Sequence, residues 1–388
     1  MLAYRAAGRR PGWRRPPDAG RLGDVTPPDR SRRFIELDDP RPHGRGVARG
    51  RALRDELAAA LDVYLRLFRV GGVEEREVRS RALRLMDAID AWRPRYVEEI
   101  EGVAAGAGLE TWQAAALNGR TEILAGTRVA AECSTIAFDP RAAGAAPFGA
   151  QTWDWHEELD PYWHVQQVRG PRHAYAGLAE CGVLAKIGMN SAGLGVFLNI
   201  LGHRDDAATG VPVHVVAAAV LAEAGTVEEA VELVETAPVS ASTALTLIDP
   251  DAVACAELSP VGVATLRPRD GFLLHTNHFL DPLGAEREKP GVYDPDSQQR
   301  HALMRARVER DGAPAASRLL EHLRSGPGEP PLCCAPEPGA VFGERWATLA
   351  TIVLEPAHRR ARILAGTPLD AGRRPWIELR AEDRAAVR

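Results

Sequence analysis

The pattern of apolar residues changes once along this 388-residue chain, at Cys133. Before that residue, apolar side chains recur at spacings of three and four, which is the period of an amphipathic helix. The clearest stretch runs from 50 to 68, and further helices are predicted over 75–92, 94–104 and 109–124. After Cys133, short apolar runs are separated by Gly, Pro, Asp and Asn, which is typical of strands. The change favours an α+β fold.

The part after Cys133 predicts sheets that are covered by helices. Residues 190–193, Asn-Ser-Ala-Gly, are a hairpin signal between two strands. Paired helices are predicted over 213–224 and 227–236, the second with Thr226 as N-cap and Glu229 in the capping-box position. A longer helix, interrupted near 312–314, is predicted over 297–324. The predicted strands are 134–138, 151–155, 163–168, 184–189, 194–199, 244–248, 252–258, 263–267, 272–275, 348–354 and 361–365.

Composition excludes several classes of protein. Residues 1–33 hold nine Arg, five Pro and no apolar run, so we expect a disordered basic tail without a secretory signal. No stretch of ~18 apolar residues suggests a membrane span. A net charge of −5 gives no electrostatic reason to expect nucleic acid. Five scattered cysteines are unlike a disulfide scaffold, so the expected compartment is a reducing cytoplasm.

Cys133 stands where a nucleophile can act. It opens a predicted strand, and the next predicted strand carries a carboxylate, Asp154. This arrangement suits an enzyme that cuts its own chain and then uses the new amino terminus. A thiol has a pKa near ~8.5, and an α-amine with a pKa of about 7.7–8.0 can accept its proton, so cleavage would create the general base. The alternative is an ordinary core cysteine, because cysteine is among the most buried residue types.

Eight short motifs, in order along the chain, carry a resemblance to a known family. Each motif is weak alone, whereas the ordered set is specific. The chain resembles the acyl-coenzyme A:6-aminopenicillanic acid acyltransferase (isopenicillin N acyltransferase) family of the N-terminal-nucleophile hydrolase superfamily. The motifs are Glu98–Leu109, Ala116–Glu122, Cys133–Thr135, Gln151–Asp154, Gly188–Leu194, Asn199–Leu201, His275–Phe279 and Thr348–Val353.

The resemblance implies a four-layer αββα fold and a precursor that cleaves itself between Glu132 and Cys133. Residues 34–132 would become a mostly helical N-terminal fragment and 133–388 a catalytic fragment, both within one domain. The first step would be an N-to-S acyl shift, in which the Cys133 thiol attacks the Glu132 carbonyl and water then releases the upstream fragment.

The resemblance also implies roles for individual residues. Asp154 would hydrogen-bond near the new α-amine and orient it. Asn277 would donate to the oxyanion, a contribution typically worth ~10²–10³ in rate. Arg345, just before the strand at 348–354, corresponds to an arginine that the family has near its nucleophile.

The activity that the resemblance implies is transfer of an acyl group from an amide or thioester to Cys133, and then to water or an amine. Hydrolysis and acyl transfer share this acyl-enzyme, so both remain open. No cofactor is expected, although acyl-coenzyme A can serve as co-substrate; the expected partners are a small-molecule substrate and the two fragments themselves. A metal site at His275 and His278 is disfavoured, because an odd separation on a strand sends side chains to opposite faces. The non-enzymatic alternative is a member that stays uncleaved and serves as a binding or scaffold protein.

Overall fold

The structure is a computed structural model that describes residues 13–14, 32–125, 127, 132–139, 141, 144–290, 296–312 and 316–382. Most of the tail predicted for residues 1–33 lies outside these residues. Within that predicted tail, Trp13 and Arg14 pair with Pro336 and Ala335, and the first long described stretch begins at Arg32. The Arg32 guanidinium pairs with the Asp160 carboxylate at 2.7 Å, and a sheet strand starts at Phe34.

The described residues form helices mainly before Cys133 and strands mainly after it. The helices are α1 (Pro42–Ala52), α2 (Arg54–Val70), α3 (Glu75–Trp92), α4 (Pro94–Ala107), α5 (Thr111–Asn118), α6 (Arg120–Leu124), α7 (Val213–Glu223), α8 (Val227–Glu235), α9 (Pro282–Ala285) and α10 (Asp296–Asp311). The strands are β1 (Trp13–Arg14), β2 (Phe34–Leu37), β3 (Glu132–Phe138), β4 (Phe148–His156), β5 (Trp163–Arg169), β6 (Ala174–Glu180), β7 (Ile187–Asn190), β8 (Gly195–Ile200), β9 (Thr243–Ile248), β10 (Val253–Ser259), β11 (Gly262–Leu266), β12 (Phe272–His275), β13 (Ala335–Pro336), β14 (Trp346–Glu355), β15 (Arg360–Ala365) and β16 (Trp376–Arg380).

Two large sheets dominate the architecture. One has eight strands in the order β11-β10-β9-β8-β7-β6-β5-β2, and the other has six in the order β12-β3-β4-β14-β15-β16. Neighbouring strands are antiparallel except for the parallel pair β2 and β5. The predicted hairpin is confirmed, since β7 and β8 pair across residues 190–193.

The two sheets pack face to face between two layers of helices. β3 lies against β8 and β9, while β15 and β16 lie against β6. Helices α7 and α8 cover the other side of the eight-stranded sheet, and α10 with the following 3-10 helix covers the other side of the six-stranded sheet. The αββα arrangement is therefore confirmed. Because both sheets are covered on both faces, β4, β8, β9, β10 and β14 read as nearly continuous buried runs.

Some elements differ from the sequence prediction. The helix predicted over 50–68 is the end of α1 followed by α2, with a break at Leu53 (φ −119°, ψ 23°). The sequence does not predict most of α1, because glycine and arginine fill it and leave no apolar stripe. β6 was also not predicted; it is a short run rich in Ala and Gly. Thr226 caps α8 by accepting the Glu229 N–H at 3.2 Å, as predicted.

Helices α1 and α4 cross at very short range through glycines. A Cβ built on Gly46 would lie 2.1 Å from the backbone oxygen of Glu99, and one built on Gly102 would lie 2.2 Å from that of His43. Gly50 and Gly106 make matching approaches one turn later. These glycines let the two backbones touch. The need for this contact explains why α1 is rich in glycine, and that glycine content is why the sequence does not predict the helix.

We expect Gly46→Ala to lower the free energy of unfolding by about 1–3 kcal/mol, because the added methyl group would meet backbone that cannot move aside. The higher helix propensity of alanine, about 0.5–1 kcal/mol, offsets only part of that loss. Urea unfolding followed by circular dichroism measures the change. Gly372→Ala is the matched control, since nothing lies within 4 Å of its Cβ position. Equal stability of the two variants would contradict the close packing.

Candidate active site

Cys133 lies on β3 between β12 and β4, with 1% of its surface exposed. Its direct neighbour across the β3–β4 pair is Trp153. Directly opposed residues of an antiparallel pair project to the same face. Trp153 packs against Trp163 of the other sheet, with ring centroids 6.2 Å apart, so this face is the one between the sheets. The Cys133 thiol therefore lies in the space between the two sheets.

The backbone of Cys133 is held by three side chains from separate elements. Its N–H donates to Asn277 Oδ1 at 2.9 Å. Its carbonyl oxygen accepts from Asn199 Nδ2 at 3.1 Å and from Arg300 Nη1 at 3.0 Å. All three side chains are completely buried. Contacts of this kind set the position of one peptide unit much more tightly than strand pairing alone does.

Asn277 is oriented so that its carboxamide oxygen faces the nitrogen of Cys133. That oxygen also accepts from Arg300 Nη2 at 3.0 Å, while Nδ2 donates to the Ile200 carbonyl at 2.9 Å. The Asn277 backbone N–H donates to Ser297 Oγ at 2.7 Å. Two donors on one side and a carbonyl acceptor on the other determine which atom is oxygen. One hydrogen of Nδ2 remains for a further acceptor.

Arg300, on α10, has a position that the sequence does not reveal. Its Nε pairs with Asp296 at 2.7 Å, and its Nη1 also donates to Ser134 Oγ at 3.0 Å. In a chain so rich in arginine, nothing in the pattern distinguishes this one. Asn199 lies in one of the family motifs, but its contact with Cys133 depends on the stacking of β8 against β3.

Asp154 lies beside Cys133 on the opposite face of the six-stranded sheet. It pairs in register with Glu132, the residue before the nucleophile. Asp154 Oδ1 accepts from Thr348 Oγ1 at 2.5 Å, and Oδ2 has no hydrogen-bond partner among the described residues. Burial raises the pKa of this carboxyl to about 7. The Asp154 side chain is completely buried.

Arg345 lies elsewhere. Its side chain is exposed and forms an ion pair with Glu157. The structure thus brings Cys133, Asp154 and Asn277 together and leaves Arg345 at the surface, while Arg300 is the arginine that contacts Cys133.

The environment of Cys133 in the uncleaved chain favours the protonated thiol. Burial raises its pKa to about 12, opposed mainly by the positive charge of Lys186. A thiol with that pKa is almost wholly protonated at neutral pH, so it needs a base at its side. Lys186 itself is buried, with 1% of its surface exposed.

A family model described as acyl-coenzyme A:6-aminopenicillanic acid acyl-transferase matches residues 142–370. The chain belongs to this family. It is similar to the 40 kDa form of acyl-coenzyme A:6-aminopenicillanic-acid acyltransferase of Emericella nidulans, with 27% identity over 332 residues that cover 84% of this chain and 91% of that protein. The family match begins after Cys133, so it leaves the nucleophile itself to be tested.

Two solved structures similar to this member of the acyltransferase family are enzymes. Penicillin V acylase from Agrobacterium tumefaciens is 14% identical, with a TM-score of 0.42, over 64% of this chain and 86% of its own. A conjugated bile acid hydrolase from Clostridium perfringens is 12% identical, with a TM-score of 0.40, over 66% of this chain and 100% of its own. Both TM-scores are below 0.5, so the fold assignment rests on the family match and on the observed layers.

The histidines of the His275–Phe279 motif have protein partners. His275 Nε2 lies 2.8 Å from Glu257 Oε1, and His278 Nδ1 lies 2.8 Å from Ser297 Oγ. Among the described residues of this acyltransferase family member, no cluster of three or more His, Cys, Asp or Glu side chains is arranged to hold a metal ion. Within the same residues, no helix combines the length and apolar character needed to cross a bilayer.

The raised pKa of Asp154 predicts a pH dependence of stability. The folded chain binds a proton here between about pH 4 and 7 that the unfolded chain has lost, so stability falls as the pH rises through this window. Asp154→Asn removes that titration. We expect its free energy of unfolding, relative to the parent, to rise from pH 4 to pH 8 by about 1.4 kcal/mol for each unit separating the two pKa values.

Both chains of this comparison would carry Cys133→Ala so that no cleavage intervenes. Urea unfolding at several pH values gives the difference, and other titrating groups cancel between the two chains. A difference that does not change with pH would contradict the raised pKa.

Proposed function

We propose that this chain is an autoprocessed cysteine-nucleophile enzyme that acts on the carbon–nitrogen bond of an amide through an acyl-Cys133 intermediate. The observation that carries the proposal is the triple contact of Asn277, Asn199 and Arg300 with the peptide unit of Cys133. Buried polar side chains from three elements converge on the backbone of one cysteine. A cysteine that served only to fill the core would not need these hydrogen bonds. Membership of an acyltransferase family supports the same chemistry.

Self-cleavage would proceed at the bond between Glu132 and Cys133. The thiol sulfur attacks the Glu132 carbonyl carbon, the carbon–nitrogen bond breaks, and the thiol proton moves to the nitrogen of Cys133. Water then attacks the resulting thioester, which releases Glu132 as a carboxylic acid and restores the thiol. The products are a chain ending at Glu132 and a chain beginning with a free α-amine at Cys133.

Turnover would repeat the same chemistry on a substrate. The new α-amine takes the thiol proton while the sulfur attacks the acyl carbon of an amide or thioester. That proton passes to the leaving amine or thiol, and water or an acceptor amine then attacks the acyl-Cys133 thioester. The chain's own groups supply base and donors, so we propose no cofactor; acyl-coenzyme A can enter as acyl donor.

The neighbouring residues have roles that fit their contacts. Asn277 Oδ1 already faces the nitrogen that would become the α-amine, and the remaining hydrogen of Nδ2 can donate to an oxyanion. Asp154 pairs with Glu132 in register, so departure of Glu132 would bring the carboxylate next to the new amine. We propose that its unbonded Oδ2 then orients this amine.

The two fragments would stay associated after cleavage. β2, from the N-terminal fragment, is an edge strand of the eight-stranded sheet and pairs with β5. Buried Arg49 and Arg120 of that fragment bond to Gln166 and Glu180 of the other. Separation would expose these charges and a large apolar surface, which costs more than the two new termini gain.

Cleavage is the direct test. Purified protein should run as two bands under denaturing conditions, and the intact mass of the larger fragment should correspond to a chain starting Cys133-Ser134-Thr135. A single full-length chain that persists after long incubation would contradict autoprocessing. That outcome would favour the alternative, an uncleaved family member that serves as a binding or scaffold protein.

A further inference from the structure

A buried group of charged side chains lies under Cys133, on the side of the eight-stranded sheet. Glu180, at the end of β6, accepts from Lys186 Nζ at 2.9 Å and from Arg120 Nε at 2.9 Å. His214 of α7 lies 3.3 Å from Arg120 and 3.4 Å from Lys186. Tyr64 of α2 donates its hydroxyl to Glu180. None of these side chains contacts the backbone of Cys133, so the reaction described above does not use them.

This group carries more positive charge than negative. Glu180 is its one firmly ionised carboxylate, and its pKa is driven far down by Arg120 and Lys186 despite burial. His214 stays neutral, because burial and the two cations lower its pKa well below the usual value. Glu122, on α6 beside Arg120, is buried with a pKa raised to about 7, so it is at most partly ionised at neutral pH. Burial also lowers the pKa of Lys186, and the charge of Glu180 opposes that shift. With Lys186 and Arg120 both protonated, two cations face one full carboxylate.

The surplus charge faces the nucleophile. Lys186 Nζ lies 4.9 Å from the centre of the Trp153 ring, and Trp153 is the direct neighbour of Cys133 on the same sheet face. Arg120, in contrast, stacks on the Trp155 ring at 4.4 Å, and Trp155 lies two residues beyond Trp153 along β4, further from the thiol. Of the charged groups that act on the sulfur, Lys186 favours the thiolate most, Arg300 favours it less, and Asp154 opposes it.

We propose that Lys186 stabilises the thiolate of Cys133 and so sets the pH at which the nucleophile becomes active, an inference that rests on the proposed function. The ammonium acts through space across the floor of the site, where low polarity strengthens its field. It favours the thiolate over the thiol, so a larger fraction of the nucleophile is in its reactive form at a given pH. Burying the Lys186 ammonium costs free energy of desolvation, and Lys186 shares its one carboxylate partner, Glu180, with Arg120. Stabilisation of the thiolate would explain why such a costly group is present.

The test measures how alkylation of Cys133 by iodoacetamide depends on pH. Processed enzyme is treated between pH 5 and 9, and the peptide that begins with Cys133 is quantified by mass spectrometry; the other four cysteines serve as internal references. In Lys186→Met we expect the midpoint to rise by at least about one pH unit, a tenfold loss of thiolate at neutral pH. Lys186→Arg keeps the charge and should stay close to the parent.

A second variant is expected to shift the midpoint in the opposite direction. Glu180→Gln leaves the cations and removes their carboxylate, so its midpoint should move below that of the parent. Lys289→Met is the matched control, since Lys289 is the only other lysine and its Nζ binds the Thr127 carbonyl at 2.7 Å, away from this group. A purely structural role of Lys186 would lower the yield of folded enzyme without moving the midpoint.

The outcomes separate this inference from the proposed function. If the parent chain is cleaved and depends on Cys133, yet the Lys186→Met and Glu180→Gln midpoints equal that of the parent, the role of Lys186 is overturned alone. If Lys186→Met fails to fold or to cleave, Glu180→Gln still decides on cleaved enzyme. A Glu180→Gln midpoint below those of the parent and of Lys186→Arg supports the role of Lys186, and a midpoint equal to theirs overturns it. An uncleaved parent chain overturns the proposed function first.

Discussion

Cys133→Ala is expected to leave the chain in one piece and to abolish amide turnover. The methyl group of alanine cannot attack the Glu132 carbonyl, and without cleavage no α-amine is formed to act as base. Intact mass after prolonged incubation measures the first effect, and release of amine from an acylated amine library measures the second. Losing one thiol should therefore remove two activities together.

Cys255→Ala is the matched control for that experiment. Cys255 is completely buried on β10 of the other sheet and has no contact with the Cys133 peptide among the described residues. The Cys255→Ala variant should therefore cleave itself and turn over substrate like the parent chain. Cleavage or turnover retained by Cys133→Ala would refute the nucleophile assignment, and trapping of the acyl group by mass spectrometry would then show which residue carries it.

Arg300→Met is expected to slow cleavage and to reduce turnover by about 10²-fold or more. The side chain of methionine fills similar space, but it removes the donors to the Cys133 carbonyl, Ser134 and Asn277. Removal of one preorganised donor at a reacting centre typically lowers the rate by ~10²–10³. Asn277 would lose one of its two donors and, with it, part of its fixed orientation.

Arg305→Met, on the same helix, is the control for Arg300→Met. Arg305 is half-buried, reaches Glu309 at 3.8 Å and lies 5.8 Å from the centre of the Phe272 ring. Its contacts do not involve Cys133, so its loss should leave cleavage and turnover unchanged. Arg300→Lys keeps the charge without the fork of donors, and an intermediate rate is expected. Circular dichroism confirms folding of all three variants. Parent-like rates in Arg300→Met would show that the observed contacts do not serve the reaction.

Most strands could be predicted because their residues carry the information locally. β3, β4, β9, β10 and β14 lie within a few residues of their predicted positions, since runs of buried apolar residues bounded by turn residues have few other solutions. α1 escaped prediction for a tertiary reason. Its glycines serve the contact with α4, and no pattern within the helix itself records that contact.

The candidate site divides in the same way. Cys133, Asp154 and Asn277 lie in motifs that the sequence displays, and the structure brings them together. Arg300 contacts Cys133 from α10, and Lys186, in the segment before β7, lies over its neighbour Trp153; both come from far along the chain. Arg345 stands next to a motif in sequence, yet its side chain points to Glu157 at the surface.

The sequence by itself determined the class of fold, the family and the cysteine that we propose as nucleophile, because residue type and local spacing carry those signals. Only the tertiary structure decided which charges surround that cysteine. Electrostatic effects depend on distance through space and on burial. The packing of the eight-stranded sheet and of α10 against β3 brings Lys186 and Arg300, which are distant along the chain, within range of the Cys133 sulfur, where Asp154 of the neighbouring strand also acts.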